Sequence, residues 1–182
     1  MEIYQPAEDS FLLSDQVKKY IPKLKNKNIK ILDMGTGSGI QTKNLIDLGI
    51  KKENITAVDI NPNALKEARK LKIKTIKSDL FNELKNEKYD IIIFNPPYLP
   101  EDKYDKEKDT TGGKKGDEII IKFIKELNQH LNKKGICFLL TSSLTSNNWK
   151  KELIKQKLDI KKIGEKKLFM EKLFVWEIIK EN

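Results

Sequence analysis

Cysteine, histidine and arginine are nearly missing from this chain of 182 residues, which has one of each: Cys137, His130 and Arg69. A lone cysteine cannot close an internal disulfide. Set in the apolar run 136–140, it is expected as a small core residue, in keeping with a reducing cytoplasm. No Cys/His cluster has metal-ligand spacing, so no metal site is expected, and His130 is expected on a helix surface. Arginine is the side chain best shaped for bidentate phosphate contacts. Its scarcity tempers the net charge of +9. The lysines are spread along the whole chain among acids, in a composition where Lys, Asn and Ile rise together, and no aromatic-basic stripe of the kind that stacks bases is present. Nucleic acid is therefore not the expected direct substrate. No apolar run approaches the roughly 20 residues that span a bilayer. The opening Met1-Glu2-Ile3-Tyr4-Gln5-Pro6 has no basic stretch leading into an apolar one, so no signal peptide and no membrane association are expected.

Hydrophobic residues make up 38% and charged residues 35% of the chain. That composition and length suit one α/β domain over residues 1–182. There is no internal repeat. Short β-branched runs at 30–34, 55–59, 74–78, 90–94 and 136–142 alternate with helical stretches at 8–20, 40–48, 62–71, 117–131 and 146–157. Two closing strands, 161–168 and 173–180, are separated by a short turn and predict an antiparallel pair. The fold expected is a doubly wound, mainly parallel seven-stranded sheet, six strands parallel and one antiparallel, with the first strand central. Residues 1–25 form a helical lead. Residues 99–116 are charged and glycine-bearing without apolar period, which predicts a flexible loop and a possible lid.

Four motifs follow strands. After the first strand comes Asp33-Met34-Gly35-Thr36-Gly37-Ser38-Gly39. Its glycines permit a tight turn and close backbone approach to a ligand at a helix N-terminus. The dinucleotide pattern wants G-x-G-x-x-G, and here Ile40 holds the last place, so the loop is more similar to an S-adenosylmethionine site. Asp59 ends the second strand, where a carboxylate can accept from two ribose hydroxyls; it or Asn61 could instead cap the helix at Pro62. After the third strand, Asp79 can accept from an adenine amino group and the Leu80 backbone N–H can donate to a ring nitrogen. After the fourth stands Asn95-Pro96-Pro97-Tyr98. Consecutive prolines stiffen the backbone and leave carbonyls free. The Asn95 side-chain oxygen and the Pro96 carbonyl can accept both protons of a planar –NH2 group, on which Tyr98 can stack. Catalysis on so weakly basic a nitrogen rests on positioning.

Together with Asn95-Pro96-Pro97-Tyr98, the opening Tyr4-Gln5-Pro6-Ala7-Glu8-Asp9-Ser10-Phe11-Leu12-Leu13 resembles the HemK-like protein-glutamine N5-methyltransferases, and within them the short archaeal and eukaryotic branch. The resemblance implies methyl transfer from S-adenosylmethionine to the glutamine of a Gly-Gly-Gln loop in class 1 translation termination factors. It implies a cofactor site lined by Ser10, Asp33, Gly35, Asp59, Asp79, Leu80 and Asn95. It also implies a small zinc-binding activator protein, for which the third strand, Lys74-Thr75-Ile76-Lys77-Ser78, is the candidate edge. The residues differ from the family pattern at Gln5, Ser10 and Lys114-Lys115. Glu8, Asp9 and Ser10 could equally cap the first helix. The four-residue motif is shared with enzymes acting on adenine N6, so a small RNA or DNA amine methyltransferase, on adenine N6 or guanine N2, is the alternative. A non-catalytic binding module is the reading from another class.

Overall fold

The computed structural model describes residues 2–101 and 111–180. Its strands are β1 (Ile31–Met34), β2 (Ile55–Asp59), β3 (Lys74–Lys77), β4 (Tyr89–Phe94), β5 (Leu131–Ser142), β6 (Leu158–Lys167) and β7 (Lys172–Lys180). They form one seven-stranded sheet in the order β3-β2-β1-β4-β5-β7-β6. The pairs β1–β2, β1–β4, β2–β3 and β4–β5 are parallel. Strand β7 runs antiparallel to both β5 and β6, so six strands share one direction, as expected. The chain leaves β1 towards β2 and β3 on one side and resumes at β4 on the other. That reversal opens a crevice outside the carboxyl ends of β1 and β4, where doubly wound sheets bind ligands.

The central strands β1, β2 and β4 and the second half of β5 are mostly apolar and buried because both faces are covered, whereas the edge strands β3 and β6 carry lysines and are largely exposed. Successive side chains alternate between faces. Ile31, Ile55, Ile91 and Ile93 pack with Leu12, Leu13 and Val17 of α1 (Glu8–Tyr20) and Leu45 of α2 (Ile40–Asp47). Leu32, Met34, Ile92 and Phe94 pack with Ile120, Phe123 and Leu127 of α4 (Glu118–His130) and Trp149 and Leu153 of α5 (Trp149–Lys155). The remaining helix, α3 (Pro62–Lys70), buries Ala64, Leu65 and Ala68. Cys137 lies in the core, and burial pushes its thiol well above the usual range. Among the described residues no helix is long and apolar enough to cross a membrane.

Three expectations need correction. His130 is buried rather than on a helix surface. Its ring stacks on Phe81 at 4.3 Å between centroids, and Nδ1 lies 2.7 Å from the Glu87 carbonyl. It falls on the same helix face as the buried Phe123 and Leu127, so it completes an apolar stripe. The helix expected over 146–157 is shorter, because the Asn148 N–H is held by Asp117 Oδ2 at 3.0 Å before the first turn. Strand β5 starts at Leu131, through an irregular register between Tyr89 and Ile91 of its neighbour, and not after Gly135. The 99–116 loop is tied at both ends. Gly112 N–H bonds to the Leu99 carbonyl and Glu101 N–H to the Gly113 carbonyl, each at 2.9 Å. The rest of that expected lid, 102–110, lies outside the described residues.

Candidate active site

A cavity of about 360 Å³ occupies the crevice between β1 and β4, within the range of small-molecule sites. The loops after β1, β2, β3 and β4 wall it, together with Glu2–Tyr4 and the first turn of α1. Ser10, Asp33, Gly35, Gly37, Asp59, Asp79, Leu80, Asn95, Pro96, Pro97 and Tyr98 all reach the wall. Gly39 does not. It is the N-cap of α2 with φ +78, and a Cβ there would meet Leu71, so its left-handed backbone serves the helix start rather than the ligand. Gly35 and Gly37 also have positive φ (62° and 52°).

Asp33 holds the glycine loop from below. Its Oδ2 accepts from Thr36 Oγ1 and Thr42 Oγ1, both at 2.7 Å, and from Thr42 N–H at 3.2 Å. Burial pushes its carboxyl up to about 6, against the three hydrogen bonds that favour the charged form. Asp59 accepts from Gly37 N–H at 2.9 Å on one oxygen and from Asn61 N–H at 2.8 Å on the other. The helix cap is Asn61, whose side chain accepts from Asn63 N–H. Capping is thus done without Asp59, whose carboxylate is part of the cavity wall. The turn after β3 has Leu80 at φ +51, pinned by Ser78, whose hydroxyl donates to the Leu80 carbonyl at 2.8 Å. Asp79 is half-exposed and pairs with Lys122 Nζ at 2.6 Å.

Asn95 is the best-defined group. Its Nδ2 donates to Asp9 Oδ2 at 3.0 Å. Its Oδ1 is the one buried side-chain polar atom without a partner among the described residues. A carboxylate only accepts, so Asp9 decides which end of the Asn95 amide faces it. The oxygen is thereby turned away, as an unpaired acceptor in a residue that lines the cavity. Asp9 also accepts from the hydroxyls of Tyr4 at 3.0 Å and Tyr98 at 3.4 Å. Burial, reinforced by Asp9, pushes both phenols well above their ordinary range, so both remain donors and neither serves as a base. Among the described residues the wall carries the acids Glu2, Asp9, Asp33, Asp59 and Asp79, and no lysine, arginine or histidine, in a chain of net charge +9.

Sequence reasoning left Asp9 among capping residues and missed Glu2, Ile3 and Tyr4. The α1 N-cap is Ala7, with no side-chain cap bond, which is the signal that Asp9 has other work. It also missed that the loop glycines press on the motif backbone. A Cβ on Gly112 would lie 2.6 Å from the Pro97 carbonyl oxygen, and one on Gly116 2.5 Å from that of Tyr98.

The family model described as the methyltransferase small domain matches residues 13–166. The chain belongs to this methyltransferase family. Within it, the methyltransferase is 41% identical over 155 residues to a candidate protein N5-glutamine methyltransferase of Methanocaldococcus jannaschii, covering 79% of this chain and 74% of the relative. It is 32% identical over 154 residues to the methyltransferase HEMK2 of Homo sapiens, covering 77% and 72%. It is thus a HemK-like protein, as the opening and the Asn95–Tyr98 motif implied. Its fold matches the Mtq2–Trm112 complex of E. cuniculi, described as responsible for methylating the termination factor eRF1, with a TM-score of 0.78 at 24% identity over 100% of both chains.

Proposed function

We propose that this methyltransferase transfers the methyl group of S-adenosylmethionine to the side-chain amide nitrogen of a glutamine in the Gly-Gly-Gln loop of a class 1 translation termination factor. The observation that carries the reading is the unpaired Asn95 Oδ1, a buried acceptor in the wall of an acidic cavity. A primary amide offers two N–H groups. Asn95 Oδ1 accepts one and the Pro96 carbonyl the other, which fixes the nitrogen plane, and Tyr98 supplies a ring beside it. The cofactor, when bound, supplies a methyl group on a positively charged sulfur, to which a wall whose described residues are acidic and include no cation is suited. Asp59 would hold the ribose, Asp79 and the Leu80 N–H the adenine, and Ser10, Asp33, Gly35 and Gly37 the remaining wall. No protein base is required, because the amide nitrogen readily loses a proton once alkylated. Alignment of the nitrogen is what the residues contribute, worth roughly 7–11 kcal/mol at best, with support of developing charge by the Asn95 oxygen dipole.

The active form in this reading is a heterodimer with a small zinc-binding activator, joined by β-augmentation along β3. Strand β3 ends the sheet order, with β2 its only strand partner among the described residues. Two of its features oppose adventitious pairing: Lys74 is held to Glu87 at 2.6 Å, and Lys77 is exposed. Incubation with labelled cofactor and, separately, a termination factor or bulk RNA tests the substrate. Label on the glutamine is expected, and label on RNA alone would overturn the reading. An Ile76→Pro variant, folded by circular dichroism, is expected to lose the activator on size exclusion. Unchanged co-elution would remove the β3 interface.

A further inference from the structure

Among the described residues seven large hydrophobic side chains are exposed, and five of them lie towards the cavity end of the sheet: Phe11, Ile60, Leu144, Phe169 and Met170. Scattered exposed apolar residues need no explanation, but a concentration at one edge does. The strongest pair sits at the tip of the β6–β7 hairpin. Leu168 N–H bonds to the Glu171 carbonyl at 2.8 Å, closing a four-residue turn whose two central residues are Phe169, 99% exposed, and Met170, 79% exposed. A turn normally places glycine, asparagine or aspartate there, so the choice of phenylalanine and methionine is unexplained by the fold.

The contacts place this tip beside the site. Leu139 of β5 pairs with both Phe94 and Trp176, and Ser142, three residues further, pairs with Leu173. The hairpin stays paired through Lys167 and Lys172 and closes at Leu168 and Glu171, so it continues roughly 16 Å past the level of the residue preceding Asn95 before it turns. Glu171, at the end of the turn, accepts from the Ser142 hydroxyl and lies near enough to Tyr98 and Tyr4 to raise both phenols. Leu144 stands in the turn whose Thr145 hydroxyl donates to the Tyr98 carbonyl at 2.9 Å. Lys166 pairs with Glu8 in the first turn of α1, and Phe11 lies one turn on from Glu8 along the same ridge.

We propose that the hairpin tip, Phe169 and Met170 with Leu144 beside it, is the docking surface for the protein that carries the acceptor glutamine; this rests on the substrate class proposed above. The acceptor oxygen Asn95 Oδ1 is buried, so the target side chain must be inserted and the chain bearing it must lie across the rim. The apolar tip is continuous with that rim through Glu171 and Thr145. A contact this far from the reacting amide is made equally in the ground and transition states, so it acts on KM and leaves kcat alone.

The test is the double variant Phe169→Ser/Met170→Ser, in the full chain with its activator, acting on an intact termination factor. Both side chains are outside the core, so the fold should be retained, and the conservative Phe169→Leu variant serves as the control that keeps an apolar tip. The expected result is a KM for the factor raised about tenfold or more, with kcat within about twofold, cofactor affinity unchanged, and near wild-type KM for Phe169→Leu. An unchanged KM in the double variant overturns the proposal while leaving the substrate reading intact. An equal loss in kcat or cofactor affinity, or loss of the activator from the complex, also overturns it, by assigning the tip to the site's shape or to the other protein. A wild-type enzyme inert on the factor removes the substrate reading and this occupant together.

Discussion

Removing Asp9 should disable the enzyme without emptying the cavity. The side chain is buried and fixes the Asn95 amide by one bond of 3.0 Å from Nδ2. A hydrogen bond to a charged group contributes about 1.5–3 kcal/mol. The reversed amide would also set an oxygen against a carboxylate, so the wild-type side chain keeps one orientation. In Asp9→Ala both orientations become available, which alone halves the competent population. The lost anchor adds misalignment, and a displacement of about 1 Å at a reacting centre can cost about 100-fold. The two factors multiply to a fall in kcat of up to about 200-fold, and of about 30-fold if the displacement is smaller, with cofactor affinity within about threefold. Asp9→Asn keeps an oxygen able to accept from Asn95 Nδ2, so it should recover activity to within about tenfold of wild type. Leaving Asn95 Nδ2 buried and unpaired should also lower stability by about 1–3 kcal/mol, so the assay belongs well below the variant's melting temperature. Single-turnover methyl transfer to a saturating termination factor is the measurement. An Asp9→Ala protein that is folded and turns over within twofold of wild type would refute the assignment of Asp9 as the residue that orients Asn95.

Asn95→Ala should keep most cofactor affinity and lose kcat by about 100-fold or more, since the acceptor itself is gone; near-normal turnover would end the proposed mechanism. Asp59→Ala should weaken cofactor binding by about 2–4 kcal/mol in calorimetry, from two charge-assisted bonds partly replaced by water. It should also loosen the glycine loop, because Gly37 N–H loses its acceptor. Asp33 has a folded pKa of about 6, above its unfolded value. The stability it contributes is therefore fully present below about pH 4 and lost as pH rises through 6. Between pH 7.5 and 5 the wild type should gain on the order of 1 kcal/mol relative to Asp33→Asn in parallel denaturant titrations. Curves of equal pH dependence would contradict the raised pKa.

The strands and the acids at their carboxyl ends were legible because both report one local fact. A buried parallel strand is an uninterrupted apolar run, and the first polar residue after it stands at the ligand edge. Asn95 could be read that way, and so could Asp59 at the very end of its strand; Asp33 lies inside β1 and is legible through the glycine loop, and Asp79, two residues past the half-exposed β3, as the next member of the series. Asp9 could not, because its partner is 86 residues away and its position in a first helical turn has a sufficient local reason. The pressure of Gly112 and Gly116 on the Asn95–Tyr98 backbone was hidden for the same reason: glycine in a charged loop reads as freedom, whereas here it answers contacts of 2.5–2.6 Å that a Cβ would make. His130 was misplaced by weighing its polarity above its spacing from Phe123 and Leu127.

The adjacency of β1 and β4 has a kinetic consequence. Ile31 pairs with Ile91 and Met34 with Phe94, so the two principal walls of the cavity are joined across 60 residues of chain. Closing so long a loop is slow and cannot be rewarded until the strands between are in place. The cavity is therefore expected to be completed late in folding, once β1 and β4 have paired. A ligand bound there at 100 times its Kd should add about 2.7 kcal/mol to global stability. That gain should fall on the unfolding rate, leaving the refolding rate almost unchanged.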